Sequence, residues 1–150
     1  ESENYCKMTR LEETMEFAKK IGAKRIGLAH CVGLLQEANI AARVFRKNGF
    51  EVIGIGCKCG EQKKAQIGIS EACHNTGINM CNPILQAKYL NDKKTDLNVL
   101  LGLCVGHDSL FYRYSEAYVT TLVTKDRVTG NNPAAALYTA GSYYKKKFNL

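Results

Sequence analysis

Twice, 73 residues apart, a short apolar run ends in Cys-Val-Gly and gives way to helical periodicity: Leu28-Ala29-His30-Cys31-Val32-Gly33 and Leu101-Gly102-Leu103-Cys104-Val105-Gly106. A third run, Phe50 to Gly56, stops in the same manner at Cys57. Between the first run and this one, Leu34 to Asn48 repeats apolar residues at helical spacing (Leu35, Ala38, Ala42, Phe45) and stops at Asn48-Gly49, a helix C-terminal signal. Strand, helix, strand is the parallel crossover unit, since antiparallel neighbours need only a tight turn between them. The pattern predicts an α/β fold: an open, mostly parallel, three-layer, Rossmann-like sheet of about four to five strands.

The rest of the chain fits that plan. Thr9 followed by Glu12 is a capping-box arrangement that starts a helix running to Lys19-Lys20 and Gly22. Glu61 to Asn79 predicts a short helix or an irregular excursion. Asn82 as N-cap and Pro83 at the first helical position open a helix to Asn91. Thr95 to Leu103 is the expected third strand, Ser109 to Tyr114 begins a helix or turn, and Tyr118 to Thr124 has the β-branched richness of a fourth strand. After Gly130-Asn131-Asn132-Pro133 a small-residue helix is expected from Ala134 to Tyr144.

A chain of 150 residues with 45% hydrophobic residues can bury one core, and a single domain over residues 1–150 is expected. No apolar run approaches the roughly 18 residues of a membrane span, and Glu1-Ser2-Glu3-Asn4 does not read as a signal peptide, so the cytoplasm is the expected location. Seven cysteines, an odd number in a chain with long periodic segments, read as thiols rather than a disulfide scaffold. The 21 basic residues against 14 acidic are dispersed over helix faces and turns, apart from Lys145-Lys146-Lys147, and no nucleic-acid recognition motif accompanies them. The expected partner is a small anionic molecule or a redox partner, with neither nucleic acid nor membrane, and a homodimer is left open.

All strands of a parallel sheet finish on one edge, so Cys31, Cys57 and Cys104 are expected in one crevice. Cys81 joins them from a helix start, where the partial positive charge favours a thiolate. These four are the expected metal ligands, with Cys59 or Cys73 as the alternative for one of them. Dispersed thiolates without close knuckle pairs favour an iron-sulfur cluster over zinc. Gly33, Gly106 and Asn82 are expected against the cofactor. His107 and Asp108, after the third strand, are candidate acid, base or cap, and Lys125 and Arg127, after the fourth, are candidate clamps for an anionic substrate. Two other readings stand beside this one: a non-catalytic zinc-binding or metal-sensing module, and a metal-free thiol enzyme with Cys81 or Cys104 as nucleophile.

Met80-Cys81-Asn82-Pro83-Ile84 with Gln86-Ala87 and Leu90-Asn91, Gly102-Leu103-Cys104-Val105-Gly106-His107-Asp108-Ser109-Leu110-Phe111, Lys125-Asp126-Arg127-Val128 and Asn132-Pro133 resemble an uncharacterised family of predicted metal-binding proteins, a domain of unknown function of anaerobic bacteria and archaea. The likeness extends to Tyr5-Cys6-Lys7-Met8-Thr9-Arg10 and to Cys31-Val32-Gly33. It implies the domain and the matched Cys31, Cys57, Cys81 and Cys104, without naming a metal. The family's members often begin with an additional cysteine-rich segment, and this chain starts after the place that segment would occupy. Asn131 stands where a histidine is usual, and Cys59 and Cys73 are particular to this chain.

Overall fold

A computed structural model describes residues 4–150; the acidic Glu1-Ser2-Glu3 lies outside them. Four strands, β1 (Arg25–His30), β2 (Glu51–Gly56), β3 (Leu97–Leu101) and β4 (Tyr118–Val123), form one sheet in the order β2-β1-β3-β4. Every pairing is parallel, so the expected "mostly parallel" sheet is wholly so. Asp96 sets the register at the opposite edge from the thiols: its carboxylate accepts the backbone N–H groups of Lys24 and Arg25 at 2.9 and 2.8 Å, which holds its pKa below the usual carboxylate value.

Residue alternation builds two cores from one sheet. Ile26, Leu28, Val52, Val99 and Leu101 pack on one face against Met15 and Ala18 of α1 (Arg10–Lys20) and Ala38, Ala42 and Phe45 of α2 (Leu35–Lys47). Ala29 and Leu100 face the other way, against Ala87 and Leu90 of α3 (Pro83–Asp92) and Phe111 of α4 (His107–Tyr114). The result is three layers, with helices on both faces as a parallel sheet requires. Gly27 belongs to the second face, where a Cβ would overlap Asn98 Oδ1 and Leu90 Cδ1. Buried Asn98 is satisfied there by the Thr95 hydroxyl and by Ser115 Oγ, each at 2.8 Å.

Helix starts follow the local chemistry. Thr9 and Glu12 form the reciprocal capping box, and Asn82 Oδ1 accepts the Leu85 N–H at 2.9 Å with Pro83 in the first turn. A turn of tighter helix, Val32–Leu34, precedes α2, so the helix proper begins one residue later than the periodicity suggests.

Three boundaries differ from expectation. The third strand covers Leu97–Leu101 only: Thr95 is spent on Leu90 O and Asn98, and Gly102 turns the chain at φ +63, where a Cβ would overlap Leu34 Cδ1. The excursion between β2 and α3 holds two short 3-10 helices, Lys64–Ile67 and Glu71–Thr76, tied by buried Lys64, whose ammonium donates to Cys73 O and Thr76 Oγ1. The helix expected from Ala134 to Tyr144 is broken. It forms α5 (Ala134–Tyr138), then turns, then α6 (Lys145–Phe148). Thr139, Gly141 and Ser142 are poor helix residues, and the Thr139 hydroxyl bonds back to Ala135 O at 2.8 Å.

Candidate thiol site at the sheet edge

The chain leaves β1 outward to β2 and returns across it to β3, so the strand order reverses between β1 and β3. The C-terminal edge beside such a switch point is where open α/β sheets take ligands. His30 pairs with Gly56 on one side and Leu101 on the other. Cys31 therefore follows β1 directly, Cys57 follows β2 at the same level, and Cys104 lies three residues beyond β3. From the helix layer, Asn82 donates its backbone N–H to Cys57 O at 2.8 Å, which seats Cys81 beside that thiol.

Cys31, Cys57 and Cys81 are brought together, and their contacts run through Cys57. The Cys81 thiol donates to Cys57 Sγ at 3.7 Å, and Cys57 and Cys31 each follow one of the paired residues Gly56 and His30 on neighbouring strands. Backbone amides complete the set: Val32 N–H donates to Cys57 Sγ and Gly33 N–H to Cys31 Sγ, both at 3.4 Å. Cys57 is 3% exposed and Cys31 9%, while Cys81 is half-buried. Cys104 is held instead by Arg127, whose Nη2 donates to its sulfur at 3.3 Å. Cys59 points its thiol to Asn82 O at 3.6 Å, and Cys6 and Cys73 are exposed. All seven cysteines are free thiols.

The charge field follows from these contacts. Cys31 is lowered to about 5, first by the proton that Cys57 donates, then by the Gly33 N–H and the Lys125 ammonium, against the opposing effect of burial. Cys57 is raised for the complementary reason: its proton is held between two sulfurs, and burial disfavours its thiolate. Burial also pushes Cys59 up. Arg127 is raised above the ordinary guanidinium value, chiefly by Cys104, with Cys31 and Cys81 adding to the same field. Lys125 reaches the site across two glycines. A Cβ on Gly33 would stand 3.9 Å from its Nζ, and one on Gly102 would stand 3.3 Å from its Cε.

The other expected residues divide. Asn82 uses its side chain to cap α3 and its backbone to seat Cys57 and Cys59. Asp108, in the first turn of α4 beside His107, accepts the N–H groups of Gly106 and Ser109 on Oδ1 at 3.0 and 2.7 Å. His107 opens that helix, half-buried, with its backbone N–H on Cys104 O at 2.9 Å. Asp126, between the two cations, is turned to the N–H groups of Thr129 and Val128 and leaves both free for sulfur. Asn131 closes that turn at φ +65, receiving the Asp126 N–H on Oδ1 at 3.2 Å; asparagine tolerates this left-handed conformation.

Gln86 is a site residue that periodicity does not reveal. Fully buried on α3, it donates from Nε2 to Ile55 O at 2.8 Å and His30 O at 3.3 Å, the carbonyls at the ends of β2 and β1 just before the thiols. Its signals in the sequence are a polar residue beside Ala87 on an otherwise apolar face and the place of Gln86-Ala87 among the motifs of the family resemblance. Cavities of about 290 and 330 Å³ lie along α1, lined by Arg10, Glu13, Phe17 and Met8 among others, and share no residue with the thiols. Among the described residues no group of three or more His, Cys, Asp or Glu side chains is spaced to hold a metal ion, and no helix is long and apolar enough to cross a membrane.

Residues 1–122 match a family described as "Protein of unknown function (DUF1847)". The chain is 48% identical over 154 residues to the uncharacterized protein MJ0455 of Methanocaldococcus jannaschii, an alignment that covers 98% of this chain and 75% of that relative.

Proposed function

Because the chain belongs to the DUF1847 family, proteins of unknown function, we propose its activity from the site: thiol–disulfide exchange with a small anionic disulfide. Cys31 is the attacking thiolate and Cys57 the resolving thiol. The observation that carries this reading is the placement of the two at the ends of neighbouring parallel strands, each one residue past paired His30 and Gly56, with the Val32 N–H next to Cys31 donating to Cys57 Sγ at 3.4 Å. Paired strand positions put Cα atoms within the span a disulfide bridges. The lowered Cys31 value supports the assignment, since the thiolate is the nucleophile.

The exchange balances in two steps. The Cys31 thiolate attacks one sulfur of the substrate, the substrate S–S bond breaks, and one half leaves as a thiolate that takes up the Cys57 proton. The Cys57 thiolate then attacks the Cys31 sulfur and expels the other half as a thiolate, leaving a protein disulfide, one substrate thiol and one substrate thiolate that takes its proton from solvent. Lys125 and Arg127 draw a carboxylate-bearing substrate to this edge. Seven free thiols suit a reducing compartment such as the cytoplasm. Incubating the reduced protein with oxidised glutathione and following glutathione release tests the reading. Cys31→Ser is expected to abolish release, and an unchanged rate rejects the assignment.

One observation favours a second reading. The 3.7 Å between Cys57 and Cys81 equals an edge of a tetrahedron of thiolates about 2.3 Å from a central metal. In that reading Cys31, Cys57 and Cys81 hold zinc or an iron-sulfur cluster, with Cys104 completing the set on leaving Arg127. The group would supply Lewis acidity or electron transfer. Metal analysis and absorbance after anaerobic purification decide: bound metal at full stoichiometry that Cys104→Ser removes favours this reading over exchange.

A further inference from the structure

We propose that Cys81 is a third member of the exchange, taking the disulfide over from Cys31 by attacking Cys57, so that Cys31, Cys57 and Cys81 form a three-thiol relay. The inference rests on the exchange reading and adds a residue and a direction to it.

Cys57 stands between the other two, one residue past the strand position paired with the residue before Cys31 and in sulfur contact with Cys81. Once it has resolved the substrate disulfide it is bonded to Cys31, and its other neighbour is Cys81, Sγ to Sγ 3.7 Å away. That is van der Waals contact between sulfurs, and exchange needs a closing of less than 2 Å to reach the bonded length of about 2.0 Å. The step is internal and balanced. The Cys81 thiolate attacks Cys57 Sγ, the Cys31–Cys57 bond breaks, and a Cys57–Cys81 bond forms. Cys31 departs as a thiolate and the proton of Cys81 is released; no oxidant beyond the substrate disulfide is needed.

The leaving group favours this direction. Cys31 is the sulfur that receives the Gly33 N–H at 3.4 Å, with the Lys125 ammonium on the other side of that glycine, so it accepts the departing charge. Cys81 is anchored for the attack, since the Asn82 N–H to Cys57 O bond at 2.8 Å fixes the chain at its Cα to the Cys57 turn. Position gives the step a use. Cys57 is 3% exposed, whereas Cys81 is half-buried at the head of α3, so the relay moves the disulfide toward solvent and returns Cys31 to its attacking form.

The test uses the full reduced chain, one equivalent of oxidised glutathione, an iodoacetamide quench and disulfide mapping by mass spectrometry. Wild-type protein is expected to end with a Cys57–Cys81 disulfide and an alkylated Cys31. Cys81→Ser is expected to stop at Cys31–Cys57, and Cys57→Ser to carry glutathione on Cys31. A second equivalent should then glutathionylate Cys31 in the wild type and not in Cys81→Ser. Wild-type protein that ends at Cys31–Cys57, with Cys81 alkylated, overturns the relay while leaving the exchange intact. Cys57→Ser that carries no glutathione on Cys31 overturns the exchange itself. The wild-type map decides the relay even if a variant fails to fold.

Discussion

Cys31 and Cys57 share one proton over a pH range in which two ordinary thiols would hold two, and stability must respond to that. The folded pair loses its first proton near Cys31's value of about 5 and keeps the second on Cys57, while the unfolded chain loses both near about 8.5. Between those values the unfolded state binds more protons, so stability rises with pH from about 5 to about 8.5; above that the unfolded state binds fewer, and stability falls. Denaturant midpoints across this range are expected to trace the maximum, and Cys57→Ala to flatten it. The same pair explains what the sequence could not say. Cys-Val-Gly after an apolar run places Cys31 at a strand end, but the donor that lowers it is Cys57, 26 positions along the chain and on another strand. Which of several clustered thiols becomes the nucleophile depends on sulfur-to-sulfur contacts that no spacing encodes.

At the level of elements, α3 is the piece that assembles the site. Cys81 precedes its N-cap, Asn82 ties it to the Cys57 turn, and Gln86 reaches under the sheet edge to the carbonyls of His30, the last residue of β1, and Ile55, the last but one of β2. Gln86→Leu leaves those two buried carbonyls without their side-chain donor, at a cost of about 1–3 kcal/mol. Thermal denaturation is expected to show that loss, along with slower glutathione release as the two strand ends drift apart. The element pattern was legible because its signals are local: Thr9 with Glu12, Asn82 with Pro83, and Asn48-Gly49 each satisfy a helix end from residues a few positions away. The break after Tyr138 was not, because alanine-rich periodicity continues past the point where Thr139 turns its hydroxyl back onto Ala135 O. Asp108 shows the same limit. Its type and position fit a cap more readily than an acid, and the two amides that its Oδ1 accepts lie far enough apart along the turn that no spacing announces them.

For the whole molecule, the net charge of +7 is spread too widely to mark a binding face by itself, yet two of those cations converge on sulfur. Lys125→Ala is expected to slow exchange with oxidised glutathione several-fold while leaving exchange with the neutral hydroxyethyl disulfide nearly unchanged. Raising the salt concentration should reproduce that difference in the wild type by screening. Equal slowing with both substrates would assign Lys125 to thiol activation alone. The sheet order has a consequence for how such a protein comes into being. Cys31, Cys57 and Cys81 meet only when β1 and β2 lie side by side with the head of α3 tied to the Cys57 turn, and parallel neighbours are long-range contacts that close late. A chain still emerging from its ribosome, with β2 not yet docked on β1, carries seven separate thiols; in the proposed exchange the attacking thiol and its resolving partner exist as a pair only once those two strands are side by side.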